Sequence, residues 1–182
     1  AAVPSIIQQY YPSYHGLCWY WNTFAPTLEQ KPGYRYELRF SFVDYMAKFW
    51  LDGVPIGVHE GADDSFSLDV THCLRFGEEN LLAIRLLNPV DEPIDGIGLR
   101  QTANRNKRER GVHPGDAFNF GGILYRVELL ARPLVRIGDV QILPDEQTGD
   151  VQVRCELVNE SPGEALLQLC GQITGPGSYT MD

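Results

Sequence analysis

Hydrophobic and polar positions alternate with a period of two along most of this 182-residue chain, and helical periodicity is nearly absent. The clearest stretch runs from Tyr34 to Phe42. There Tyr34, Tyr36, Leu38, Phe40 and Phe42 are predicted to face inward, with Arg35, Glu37, Arg39 and Ser41 outward. Tyr45, Ala47, Phe49 and Leu51 repeat the pattern. Asp52-Gly53 then supplies the two positive-φ residues of a tight hairpin turn. Val54, Ile56 and Val58 form the return strand, and Pro55 marks it as an edge or a bulge because proline cannot donate to a ladder. Phe66, Leu68 and Val70 alternate next, and Asp69 or Thr71 can cap a single helical turn that Gly77 ends. Leu82, Ile84 and Leu86, and later Ile123, Tyr125, Val127 and Leu129, complete the pattern. Strands joined by short turns predict an all-β fold, an antiparallel sandwich of the jelly-roll type.

Arg132-Pro133 punctuates the chain and predicts a boundary between residues 1–132 and 133–182. Three further alternating segments follow, roughly Leu134–Leu143, Asp150–Asn159 and Glu164–Thr174. They read as the opening of an immunoglobulin-like sandwich, which needs about 100 residues when complete. A partial sandwich is expected to leave a sheet edge open to pairing with a second copy.

One segment breaks the rhythm. The connection from Asn88 to Gly122 spans 35 residues, far longer than the other turns. Unstructured connections of that length are usually functional or disordered. This one closes on Gly115-Asp116-Ala117-Phe118-Asn119-Phe120-Gly121-Gly122, which suits an ordered loop tip built to meet a ligand. Phe118 and Phe120 can form an apolar wall, Asn119 a cross-loop hydrogen bond, and Gly121-Gly122 a tight return into the next strand.

Composition adds bounds rather than chemistry. Apolar residues make up 43% and charged residues 21%, ordinary for a globular protein. No apolar run approaches a membrane span. The start, Ala1-Ala2-Val3-Pro4-Ser5, has no basic n-region or apolar h-region, and is expected to be cut from something longer; it leaves cytoplasmic and exported locations equally open. Net charge is −9, which disfavours nucleic acid as a partner. The basic run from Arg105 to Arg110 reads as a solvated loop in preference to a phosphate or acidic-sugar contact. Cys18, Cys73, Cys155 and Cys170 show no metal spacing with the histidines. Alternation puts Cys155 on an apolar face and Cys170 on a polar one, so free thiols are expected rather than a bridge.

With the strands in register, an ordered series of motifs stands out: Tyr14-His-Gly-Leu-Cys-Trp-Tyr20, Trp50-Leu-Asp-Gly53, Ile56-Gly-Val-His-Glu-Gly61, Asp69-Val-Thr71, Asn80-Leu-Leu-Ala-Ile-Arg85 and Asn119-Phe-Gly-Gly-Ile123. No one of them is specific, but their order and spacing resemble the N-terminal sugar-binding domain of glycoside hydrolase family 2, the β-galactosidases, β-glucuronidases and β-mannosidases. The resemblance covers about residues 10–132 and implies a galactose-binding-like jelly roll followed by an immunoglobulin-like domain. It further implies a downstream (β/α)8 barrel that holds the two catalytic glutamates of retaining hydrolysis. These 182 residues contain no such barrel, so no catalytic residue is expected in them, and no cofactor or metal is implied. By motif, Asp116 corresponds to the family's acidic loop residue that contacts the terminal sugar, with Phe118 and Asn119 beside it. A carboxylate suits that role because it accepts from two adjacent hydroxyls at once. The plainer reading of Asp116 is a turn aspartate after Pro114-Gly115.

His59-Glu60 with Asp63-Asp64 has the residue types of acid/base chemistry or a Ca²⁺ site, yet a polar hairpin loop is the simpler expectation. His113 is expected to be an exposed loop residue. Trp19, Trp21 and Trp50 have the chemistry to stack on sugar rings, but their place in aromatic-rich strands predicts packing in the core instead. Beyond the lead reading of a non-catalytic N-terminal part of a β-glycosidase, two others stay open: an independent carbohydrate-binding module, and a purely structural or oligomerisation domain.

Overall fold

The computed structural model describes residues 2–99, 119–173 and 179–181. Among these residues the structure is all-β, with no α-helix and a 3-10 turn at Ile7–Gln9. It divides into two compact units, Ala1–Arg132 and Pro133–Asp182.

The first unit is a sandwich of two antiparallel sheets. The larger takes the order β1(Ser5–Ile6), β8(Gly122–Ile123), β4(Val43–Leu51), β7(Asn80–Asn88), β2(Gly16–Phe24), and β5(Val54–Gly61) pairs with β4 as well. The smaller runs β6(Phe66–Asp69), β3(Tyr34–Phe40), β9(Val127–Pro133). Their facing residues make the core. Phe40 of β3 packs on Phe49 of β4 with ring centroids 4.8 Å apart, and Phe66 of β6 closes the group at 5.3 Å from Phe40 and 5.6 Å from Phe49. Phe40, Phe49, Leu51 and Leu86 are fully buried, as the alternation predicts.

Local chemistry sets the turns. Asp52 (φ 49°) and Gly53 (φ 81°) form the expected β4–β5 turn. The Asp52 carboxylate also accepts from the Leu81 backbone N–H at 2.9 Å and takes both Nε and Nη2 of Arg75. The β4–β5 register slips between Phe49 and Trp50, opposite Pro55, so the proline does sit at a bulge in a strand paired on one side only. Beyond β6, a turn starts with Asp69 accepting from the Thr71 N–H at 2.9 Å. Fully buried Asn80 closes the following loop by accepting from the Arg75 N–H and donating to the Arg75 and Glu78 carbonyls.

Several expectations are corrected. Glu37, predicted to face solvent, is buried, because Arg35 (2.5 Å) and Arg132 (2.7 Å) lie against its carboxylate and cover it. Phe42 lies beyond the end of β3 with φ 140° and packs on Tyr125 at 5.0 Å rather than in the core. Trp19 and Trp21 are not core residues: they remain 42% and 65% exposed on the outer face of the larger sheet. Both faces of β2 carry aromatic side chains, Cys18 and Tyr20 alternating with Trp19 and Trp21, so alternation alone could not choose the buried face.

In the second unit, β10(Val135–Pro144) and β11(Val151–Asn159) form one hairpin, and β12(Gly171–Ile173) pairs with β13(Tyr179–Met181). The segment predicted as a strand from Glu164 has no strand before Gly171. Asn159 donates to the Gly163 carbonyl and holds the chain in a turn, and Leu166 is fully exposed. No described residue of this unit is buried, so nothing rewards alternation there with an inner face. The four cysteines are free thiols. Burial pushes the Cys18 thiol up to about 11 against a hydrogen bond with Tyr20, which makes it a packing group and a poor nucleophile at neutral pH.

His59 gives this fold a pH dependence. Its ring stacks on Phe66 (3.8 Å, 13°), and its Nε2 is buried without a hydrogen-bond partner. Burial lowers its pKa, against the pull of the Asp64 and Glu60 carboxylates. The unfolded chain therefore takes up this proton more readily than the folded one. The resulting stability is present above an ordinary histidine pKa of about 6.5 and is lost as pH falls through the folded value. Urea midpoints should fall between neutral and mildly acidic pH, and His59→Phe should flatten that part of the profile; an unchanged profile would show that another group is responsible.

Candidate functional site: the base of the long loop

Between Asn88, where β7 ends, and Gly121, just before β8, the structure describes residues 88–99 and 119–121. Asp116 and Phe118 lie outside the described residues, as do His113 and the basic run Arg105–Arg110. Asn119 is described, and it stands within a compact polar cluster that joins four distant parts of the chain.

Fully buried Asn88 is the hub. Its Nδ2 donates to Asn119 Oδ1 at 2.9 Å, and its Oδ1 accepts from Gln8 Nε2 at 2.9 Å. Asn119 Nδ2 in turn donates to the Pro89 carbonyl at 2.6 Å, so the returning chain is bonded to the departing one. Gln8 also donates to the Tyr14 carbonyl (2.7 Å) and accepts from the Gly121 N–H (3.2 Å). His15 Nδ1 lies 2.9 Å from Asn88 Oδ1. An amide oxygen offers only lone pairs, so this bond requires the proton on Nδ1. The 3.3 Å approach of Asn119 Nδ2 to the same nitrogen is then a contact between donors.

Backbone fit explains the two glycines that follow. A Cβ on Gly121 would lie 2.6 Å from Asn88 Cβ, and one on Gly122 would lie 2.5 Å from the Ser5 carbonyl oxygen at φ 149°. The Ile7 N–H donates to the Gly121 carbonyl at 2.7 Å, and β1 pairs with β8 alongside. The N-terminal segment therefore clamps the chain where it re-enters the sheet. Phe120 is 39% exposed at this point. Sequence reading anticipated a cross-loop bond from Asn119 but missed Gln8, His15 and Asn88. The signal for Asn88 was a polar side chain directly after the apolar run Leu86-Leu87; Gln8 and His15 carried none.

The other candidates do not assemble into a site. His59 is packed on Phe66 as described above, and among the described residues no group of three His, Cys, Asp or Glu side chains is arranged to hold a metal.

The geometry is that of a β-sandwich in which a buried amide cluster ties together the two ends of the connection between β7 and β8. No family model matches the chain. It is 28% identical over 148 residues to the β-glucuronidase of Canis lupus familiaris, covering 75% of this chain and 23% of that protein. It is 29% identical over 110 residues to the β-glucuronidase of Streptococcus agalactiae, covering 58% of this chain and 18% of the relative. Among solved structures, Faecalibacterium prausnitzii β-glucuronidase matches with a TM-score of 0.61 and 28% identity, over 82% of this chain and 28% of that one. A Ruminococcus gnavus β-glucuronidase in complex with uronic deoxynojirimycin shares the fold at a TM-score of 0.66 and 20% identity, over 90% of this chain and 28% of that one. By sequence and structure the chain is a homologue of the β-glucuronidases, enzymes of glycoside hydrolase family 2, and it is consistent with their N-terminal β-sandwich domain. It spans less than a quarter of the length of those two curated relatives.

The cluster's worth is measurable. Asn88→Ala leaves Gln8, His15 and Asn119 short of a partner at a buried site, a loss of about 1–3 kcal/mol. That loss should appear as a lower urea midpoint with an unchanged slope. A midpoint equal to that of the unsubstituted chain would mean that water replaces the amide without cost.

Proposed function

We propose that the chain is the non-catalytic N-terminal part of a retaining β-glycosidase acting on β-glucuronide-type substrates. In this reading it supports a (β/α)8 barrel and lends it the loop that ends at Asn119. The observation that carries the proposal is the match to β-glucuronidases in both sequence and structure over most of the chain. The residues given the substrate-facing role are Asp116 and Phe118, with Asn119 at the edge of the pocket. The bonds of Asn119 to Asn88 and Pro89 support a positioning role for it, because they fix where the loop re-enters the sandwich.

Chemistry makes the division of labour coherent. The barrel would carry the acid/base and nucleophile carboxylates of hydrolysis with retention. The loop would supply an acceptor for two sugar hydroxyls and an apolar wall that excludes water from them. The chain alone would then be inactive, and its partners in the whole protein would be the carbohydrate and the barrel. The separation of residues 133–182 as their own unit supports treating them as the start of the intervening immunoglobulin-like domain.

Asp116→Ala in the full-length protein tests this directly. Loss of a hydrogen bond to a charged group, about 1.5–3 kcal/mol, corresponds to a fall in kcat/KM on an aryl β-glucuronide of about 10- to 150-fold. An unchanged kcat/KM would assign residues 1–132 a purely structural role.

A further inference from the structure

The outer face of the larger sheet carries an aromatic row that neither the loop nor the core uses. All three tryptophans of the chain are in it. Trp19 and Trp21 stand two residues apart on edge strand β2, nearly parallel (10°), with centroids 6.0 Å apart. Trp50 of β4 lies 5.5 Å from Trp19. The register explains how they meet across an intervening strand. Ala83 of β7 pairs with both Trp21 and Trp50, and its small side chain leaves a shallow floor between the two indoles. Beside the row, next to Ile7 and Cys18, a cleft of about 450 Å³ is lined by Tyr11, Tyr14, Trp19 and Trp21. Tyr11 is 65% exposed.

The neighbouring register row supplies charge. Trp19, Arg85 and Lys48 lie directly opposite one another on β2, β7 and β4. Arg85 is engaged by Asp95 at 2.7 Å. Lys48 makes no ion pair among the described residues, on a chain whose net charge is −9.

Exposed indoles in a continuous strip are costly in water unless something covers them. Three parallel or gently tilted rings suit the flat C–H faces of successive pyranose rings, which are apolar above and below and polar around the rim. A neighbouring ammonium with no counter-charge among the described residues suits a carboxylate on the rim of such a ring. Charge complementarity therefore selects among glycans. We propose that Trp19, Trp21 and Trp50, with Lys48, form a binding surface for an oligosaccharide bearing uronate residues. This inference does not depend on the proposed role of the loop, and loss of one leaves the other standing.

Because every tryptophan belongs to the strip, intrinsic fluorescence of the chain reports on it without a label. A hexasaccharide of alternating glucuronate and N-acetylglucosamine should give a saturable change in emission. A neutral hexasaccharide of β-1,4-linked glucose should bind at least several-fold more weakly. Trp21→Ala, a change at an exposed position, should weaken the acidic sugar about tenfold while leaving the unfolding midpoint unchanged. Lys48→Gln should weaken the acidic sugar and leave the neutral one as it was. The proposal is overturned by any of three results: no saturable change with the acidic sugar at millimolar concentration, equal affinity for both sugars, or undiminished binding by Trp21→Ala. Protection of the tryptophans from acrylamide in the full-length protein, together with silence toward both sugars, would instead assign the face to contact with another domain.

Discussion

The buried carboxamide of Asn88 is the constraint on which this end of the sandwich depends. It sits at the last residue of β7, where the chain leaves the sheet, and is bonded to the 3-10 turn that follows β1, to the entry of β2 and to the residue from which the chain returns. A side-chain amide suits that place because it offers donor and acceptor at once, and every partner here needs one or the other. In a site closed to water, each bond left unmade would cost more than each bond made contributes.

The same point fixes the steric requirements around it. The Asn88 side chain occupies the space that a side chain on Gly121 would need, and the backbone of Ser5 occupies that of Gly122. Amide, glycines and N-terminal segment therefore specify one another. The two ends of the long connection are thereby bonded to each other at one end of the sheet. Such a scaffold suits the proposed role of a loop lent to a neighbouring substrate pocket, since a side chain is best positioned when the backbone that carries it is anchored on rigid elements.

Much of the sandwich was legible in the chain because short-range patterns carried it. Tyr36, Leu38 and Phe40 alternate with polar residues, and Asp52-Gly53 can make little but a tight turn. Pro55 announced the bulge. Where two faces competed, pattern failed. Strand β2 is aromatic on both sides, and only the opposing β3–β9 layer decided that Tyr20 turns toward the core while Trp21 turns out. Glu37 was misread for a related reason: Arg132, which covers it, lies 95 residues away in sequence. The polar cluster was the least legible part, since Gln8 meets Asn88 across 80 residues and His15 approaches Asn119 across 104. No local periodicity encodes such a meeting. Residues 164–170 show the converse, an alternation with no core to reward it.

The clamp itself is most directly tested by a double-mutant cycle on Asn88→Ala and Asn119→Ala, with stability read by urea unfolding. If the two amides act as one bonded unit, the paired substitution should cost less than the sum of the singles by about 1 kcal/mol or more, the coupling expected of residues in one hydrogen-bond network. Additive costs would contradict it, and would leave the loop's two ends as independent neighbours.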